Sequence, residues 1–204
     1  MIKAVIFDFG GVIKNRYPSS IIAAIFNVSS KEEKEFKEAM TSLFELFQKD
    51  LIKEEKFWQK ISKVIKRPIP ENCSERAREF YKNTYSLSSK MVSFVKDLKN
   101  KGIKTAVLSN TTGFQAEVIR KFNGYNGFDL VVLSNEEKLR KPDPEIYILT
   151  IKRLELKPEE CIFVDDKEEN LIPAENLGMK TVLAKNPNQI IEDVSLIISL
   201  QNKF

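Results

Sequence analysis

Five short runs of β-branched and apolar residues constrain this chain most, because after the second of them each gap is the right length for one helix. The runs are Lys3-Ala4-Val5-Ile6-Phe7, Ile103-Lys104-Thr105-Ala106-Val107-Leu108, Leu130-Val131-Val132-Leu133, Cys161-Ile162-Phe163-Val164 and Lys180-Thr181-Val182-Leu183-Ala184. Strands buried on both faces read as near-continuous apolar runs of this kind. Between them, 91–101, 115–122, 145–156 and 168–177 carry apolar residues at helical spacing, and a last helix is expected over 188–200. Gly102 and Gly178 stand at two of the helix stops. Such alternation implies an α/β fold, a parallel sheet with helices on both faces.

Residues 17–86 break the alternation. Ile21, Ile22, Ile25 and Phe26, then Phe36, Met40, Leu43, Phe44 and Phe47, then Phe57, Trp58, Ile61 and Ile65 recur at helical intervals within a highly charged background. This stretch reads as a small helical bundle inserted after the first strand, its aromatic stripes forming core. At 204 residues the chain suits one domain with a sizeable insertion better than two full domains.

The composition excludes several classes of function. The 33 Lys and Arg exceed the 29 Asp and Glu by four, and the excess is spread along the chain, so a nucleic-acid partner is not expected. No apolar run approaches the roughly 18 residues of a membrane span, and the first strand opens the sequence without a signal-peptide pattern. A cytoplasmic location without a membrane partner is expected, and Cys73 and Cys161 read as reduced, structural thiols. Histidine is absent, which removes Ser-His and Cys-His nucleophilic pairs. Acid, base, nucleophile and metal ligand must then come mainly from carboxylates, Lys, Ser and Asn.

Those residue types stand where the strands end. The first strand stops on Asp8, followed by Phe9-Gly10-Gly11; the second stops on Ser109-Asn110; the fourth stops on Asp165-Asp166. In a parallel sheet these ends share one edge, beyond which ligands bind. Between the last two lies Leu139-Arg140-Lys141-Pro142-Asp143-Pro144. Asp8, one member of the acidic pair and a backbone carbonyl near Gly10 would suit Mg²⁺, a hard cation that takes a few oxygens and keeps several waters. Ser109, neighbouring amides and Lys141 would hold the other oxygens of a phosphoryl group. Asp8 would then be the nucleophile, forming an aspartyl-phosphate that water hydrolyses.

Together, Phe7-Asp8-Phe9-Gly10-Gly11-Val12, Leu108-Ser109-Asn110, Arg140-Lys141-Pro142-Asp143-Pro144 and Phe163-Val164-Asp165-Asp166 resemble the haloacid dehalogenase superfamily of hydrolases. The resemblance implies a Rossmann-like three-layer core over 1–16 and 87–204, with an inserted α-helical cap over 17–86. It implies Asp8 as nucleophile and metal ligand, Ser109 and Asn110 as the phosphate-binding motif, and Lys141 as stabiliser of nucleophile and phosphate. Asp166 would be the principal acidic Mg²⁺ ligand, with Asp165 a support or alternative ligand. A small phosphorylated metabolite is the implied partner, with sugar phosphates a reasonable class.

The chain departs from that family at one position. Its phosphatases usually carry a second Asp two residues after the nucleophile, as proton donor to the leaving alcohol; here Gly10 stands there. Its carbonyl still suits a metal, but no side chain delivers a proton, so aryl phosphates should react relatively better than alkyl phosphates. Two alternatives stay open at this point: a metal-independent 2-haloacid dehalogenase, and a non-catalytic phosphate- or partner-binding protein. A receiver-like module is disfavoured by the long insertion. Among neighbouring residues, Ser134 is assigned to a turn or helix cap, Asp143 to a helix cap and Arg140 to surface pairing. Glu168 and Glu169 suit a helix first turn, Asn170 stands within reach of the metal's surroundings, and Lys14, Asn15 and Arg16 are either linker or substrate-facing.

Overall fold

The computed structural model describes residues 1–15 and 20–201; Arg16 lies outside them. Strand β1 (Ala4–Phe7) leads into five helices, α1 (Ile21–Phe26), α2 (Ser30–Glu35), α3 (Lys37–Gln48), α4 (Glu54–Ile65) and α5 (Cys73–Thr84). The alternating part follows: α6 (Ser89–Asn100), β2 (Lys104–Ser109), α7 (Gly113–Lys121), β3 (Leu130–Leu133), α8 (Ser134–Glu137) and α9 (Pro144–Leu154). It ends with β4 (Cys161–Asp165), α10 (Glu168–Asn176), β5 (Lys180–Leu183) and α11 (Pro187–Gln201). The sheet is parallel throughout, in the order β3-β2-β1-β4-β5.

The period-two alternation of the strands builds two cores. Val5, Phe7, Val107, Ile162 and Val164 face one side, with α6, α7, α11 and the helices between β1 and β2. Ala4, Ile6, Ala106, Leu108 and Phe163 face the other, against Ile146, Tyr147 and Leu154 of α9 and Leu171 and Ala174 of α10. Every residue of β1 is buried, which is why it reads as an unbroken apolar run. Local signals set the helix ends. The Ser88 hydroxyl accepts from Met91 N at the start of α6, Pro144 opens α9, and Gly102 and Gly178, with φ of 74° and 98°, supply the left-handed turns after α6 and α10.

The aromatic stripes of α3 and α4 are core. Phe47 stacks on Phe57 at 4.3 Å between centroids, and Phe57 meets Trp58 edge-on at 4.8 Å. Phe114 of α7 joins this cluster, 6.1 Å from Phe47, 6.4 Å from Trp58 and 6.3 Å from Tyr81. The chain leaves β1 and returns toward α6 through one short ribbon. Asn15 N donates to Ser86 O, Ser88 N donates to Ile13 O, and the Asn15 side chain reaches the Ser86 hydroxyl. Both cysteines are free and buried, and burial pushes the Cys73 thiol up to about 11 and the Cys161 thiol up to about 12. Among the described residues no helix is long and apolar enough to cross a membrane.

Three local expectations change. Ser134 begins the one-turn helix α8 and caps nothing; its buried hydroxyl accepts from Thr111 N and donates to Thr111 O. Asp143 occupies the residue before α9, but its side chain makes no capping bond and instead takes Lys49, the residue after α3, at 3.3 Å. Arg140 is mostly covered rather than on the surface, because α3 lies over it and Glu45 accepts from its guanidinium at 2.9 Å.

Candidate active site

The register of three strands sets the site. Phe7 is level with Val107 of β2 and with Val164 of β4, so Asp8, one residue further, is level with Leu108 and Asp165, and Ser109 ends β2 one residue beyond. Asp8 N donates to Val164 O, which extends the pairing to the nucleophile itself. The chain turns to opposite sides of β1 to make β2 and β4, and this reversal opens a crevice at the carboxyl edge. A cleft of about 630 Å³ stands there, lined by Asp8, Gly10, Ser109, Lys141, Asp165 and Asp166 among others.

Lys141 is the hub of this cleft. Its ammonium is 1 % exposed and donates to Asp8 Oδ1 at 2.7 Å and to Asp165 Oδ2 at 2.6 Å. Burial alone would lower the Lys141 pKa, but the two carboxylates outweigh it and hold it above the ordinary lysine value. Burial pushes the Asp8 carboxyl up to about 6 despite the opposing pull of Lys141. The pair is therefore costly to bury unless its neighbours complete it.

Asn110 fixes the backbone that carries Lys141. Its Nδ2 donates to Lys141 O and its Oδ1 accepts from Lys141 N, both at 2.8 Å. The Asn110 side chain is thus spent on Lys141, and any contact it makes with an anion comes from its main chain. Ser109 is buried at the tip of β2 and lines the cleft. The loop after it is held by the Ser134 clasp on Thr111 and by Gln115, whose Oε1 accepts from Thr112 N at 3.1 Å.

Asp165 is fully buried and engaged through both oxygens. Oδ2 takes Lys141, while Oδ1 accepts from Lys167 N at 2.9 Å and from Asn170 Nδ2 at 3.0 Å. Asn170 is held in turn by Tyr147, whose hydroxyl donates to Asn170 O at 2.7 Å. One oxygen from each of Asp8, Asp165 and Asp166 lies within 4.8 Å of the others. Three hard oxygen donors crowded in this way, with the Lys141 ammonium beside them, fit a hard divalent cation. Asp165 carries three hydrogen bonds, and Gly10 lines the same cleft.

The opposite wall comes from residues that carry no recognisable motif. Lys14, Ser20, Gln48 of α3, Tyr81 of α5 and Gln115 of α7 line it. Lys14 is 5 % exposed, lies 5.5 Å from the centre of the Tyr81 ring, and has its pKa pushed down to about 8 by burial. Of the three residues after the turn, Lys14 faces the cleft and Asn15 belongs to the ribbon with Ser86. Tyr81 and Gln48 were invisible in the sequence because their spacing is that of ordinary helix positions.

The pattern of the haloacid dehalogenase-like hydrolase family matches residues 5–184. A sesquiterpene phosphatase, astK of Aspergillus oryzae, is 31 % identical over 180 residues, covering 87 % of this chain and 87 % of that protein. Acyl-CoA dehydrogenase family member 10 of mouse is 28 % identical over 214 aligned positions, which cover 96 % of this chain but only 19 % of the larger protein. A wild-type HAD family enzyme of Bacteroides thetaiotaomicron, solved in complex with magnesium and inorganic phosphate, superposes with a TM-score of 0.74 at 23 % identity, over 91 % of this chain and 95 % of that one. At that identity the superposition speaks for the fold. A match along 5–184 and a relative aligned over most of both lengths place the chain in one family: it belongs to the haloacid dehalogenase-like hydrolases.

Proposed function

We propose that this chain is a Mg²⁺-dependent phosphomonoester hydrolase acting on small phosphorylated metabolites, with Asp8 as its nucleophile. The observation that carries the reading is the Lys141 ammonium held between Asp8 and Asp165 with Asp166 alongside. That lysine fixes one oxygen of Asp8 and leaves the carboxylate as a whole oriented by the strand end. Ser109, the main-chain N–H of Asn110 and Lys141 bind the phosphoryl oxygens, where charge concentrates in the transition state. Asp8 attacks phosphorus, and water later hydrolyses the aspartyl-phosphate. Asp8, Asp166 and the Gly10 carbonyl would hold the cation, which supplies charge neutralisation between carboxylate and phosphate.

The helices of 17–86 act as a cap that covers the leaving group, and the polar wall of Ser20, Gln48 and Gln115 suits hydroxylated leaving groups such as sugars. Two free thiols and a net charge of +4 without a basic stripe support a cytoplasmic enzyme whose partners are small molecules rather than nucleic acid. The three-carboxylate cluster disfavours the dehalogenase alternative, because displacement of halide by a carboxylate requires no such cluster.

A screen of sugar, nucleotide and aryl phosphates with and without Mg²⁺, beside Asp8→Asn, tests the proposal. Phosphate release that needs both Mg²⁺ and Asp8 is expected. Turnover of chloroacetate in EDTA, with no phosphomonoester hydrolysed, would establish the dehalogenase instead.

A further inference from the structure

The site as described leaves one half of the reaction without a partner. Lys141, Ser109 and the loop after β2 serve the phosphoryl group, but position 10, next to the nucleophile, has no side chain to assist the departing oxygen. An unassisted alkoxide is a poor leaving group, so something on the cap side of Asp8 must offset its charge.

Among the described residues Lys14, Arg140, Lys141 and Lys167 are the cationic side chains that line the cleft. Lys141 is bound by Asp8 and Asp165, Arg140 by Glu45, and Lys167 is 60 % exposed beside Glu169 at 3.7 Å. Lys14 is different in origin and direction. Its backbone pairs side by side with Gly10, its carbonyl accepts from Gly11 N at 2.7 Å, and its N–H donates to Phe9 O at 2.8 Å. The side chain therefore rises from the nucleophile's own turn, next to the position that Gly10 leaves bare. Its ammonium donates to Asn15 O at 3.1 Å and lies near the Tyr81 ring of α5, within the helices opposite Lys141. Two lysines thus line the cleft that holds Asp8, Lys141 from the loop before α9 and Lys14 from the turn after β1.

We propose that Lys14 is a catalytic residue whose ammonium stabilises the negative charge developing on the ester oxygen of the substrate. The assignment rests on the phosphatase reading and adds to it the leaving-group side of the site. In the step concerned, an Asp8 oxygen bonds to phosphorus as the bond from phosphorus to the ester oxygen breaks. The bonding pair stays on that oxygen, which departs hydrogen-bonded to Lys14 and takes its proton from solvent water, leaving hydroxide to the buffer. The contribution is electrostatic and grows with the basicity of the leaving group: an alkoxide needs it and a nitrophenolate scarcely does.

The test is a leaving-group series from 4-nitrophenyl phosphate through phenyl phosphate to glycerol phosphate, run on the wild type, Lys14→Met and Lys14→Arg with Mg²⁺. Removing one such stabilising donor costs about 10²-fold or more, so Lys14→Met should lose that much kcat/KM on glycerol phosphate. On 4-nitrophenyl phosphate the loss should stay below roughly tenfold, steepening the dependence on leaving-group pKa, and Lys14→Arg should recover part of the alkyl activity. Should Lys14→Met not fold, Lys14→Cys alkylated with 2-bromoethylamine restores an ammonium, and the buried Cys73 and Cys161 are poor competitors for the reagent. Equal losses along the series, or none, overturn the role of Lys14 and leave the phosphatase reading intact. A wild type inactive on every phosphomonoester overturns both.

Discussion

Asn110 grips the backbone of Lys141 from both sides, donating from Nδ2 to its carbonyl and accepting its N–H at Oδ1, each at 2.8 Å. The side chain next to the phosphate loop therefore sets where the ammonium stands between Asp8 and Asp165. Asn110→Asp replaces the donor with a second acceptor aimed at the Lys141 carbonyl. A misplacement of about 1 Å in a catalytic group can cost on the order of 10²-fold, and kcat should fall by roughly 10–10² with a smaller change in KM. An unmade buried hydrogen bond costs about 1–3 kcal/mol, so the thermal midpoint should also fall. Wild-type kcat in a folded Asn110→Asp protein would refute the positioning role.

Asp8 is costly to the fold that displays it. Its carboxyl lies at about 6 in the native protein against an ordinary 3.8, chiefly because it is buried. The native state thus binds the proton more tightly than the unfolded chain, and stability falls as pH rises through this interval and stays lower at neutral pH. At about 1.4 kcal/mol per pH unit, the ionised group costs on the order of 2–3 kcal/mol in the metal-free protein. Asp8→Asn should abolish turnover and yet raise the melting temperature in EDTA at pH 7.5 by roughly 2–10 °C. An unchanged or lower midpoint by calorimetry contradicts the assignment.

Gly10 has room for the side chain it lacks. Its φ is not in the left-handed region, and a Cβ built there would lie 3.9 Å from Asp8 Oδ2, an ordinary contact. Gly11, with φ of 82°, is the glycine that the turn itself requires. Gly10→Asp should therefore fold and supply a proton donor beside the leaving group, an effect worth about 10²–10⁴ where nothing else does that work. Lys14 already does part of it, so a gain of about tenfold in kcat is expected on glycerol phosphate and little on 4-nitrophenyl phosphate. An equal gain on both substrates would point to another cause.

Acid should loosen the helical insertion at a site with its own reporter. Burial pushes the Glu54 carboxyl up, but hydrogen bonds from Arg78, Ser74 and Trp58 and the Arg78 charge outweigh it and hold the group below the ordinary 4.5. A depressed carboxylate stabilises the fold above the unfolded value, and that stabilisation is lost as pH falls through the native value. Arg78 also binds Glu117 of α7 at 3.2 Å, so the same step weakens the link to the sheet-bearing part. Trp58, the single tryptophan, donates to Glu54 at 3.2 Å. Its emission should hold steady from pH 7 to about 5 and change below about 4.5, and Glu54→Gln should remove that step.

Much of this was legible before any coordinates. Apolar runs ending in Asp8, Ser109 and Asp165-Asp166 announce a parallel sheet with chemistry at one edge, because both burial and polarity are written in residue type. Pairings between distant loops are not. Asn110 looks like a phosphate ligand until the backbone of Lys141, about thirty residues on, arrives against it. Arg140 and Asp143 look like surface and cap residues because their partners, Glu45 in the last turn of α3 and Lys49 just after it, meet them only when that helix packs. Lys14 carries no motif, and its importance comes from the Gly10 pairing and the Tyr81 ring.

The ribbon joining Ile13 and Asn15 to Ser86 and Ser88 brings the two ends of the helical insertion to a single point of the sheet. A segment whose ends already touch can be exchanged for another of different length with little change in loop-closure entropy and no change in strand register. Specificity can then diversify as a module while the hydrolytic apparatus stays fixed. Phe114 limits that freedom: it projects from α7 into the aromatic cluster, so any replacement must offer a socket for its ring. A chimera that grafts a foreign insertion onto this sheet will depend more on that one socket than on the length of the graft.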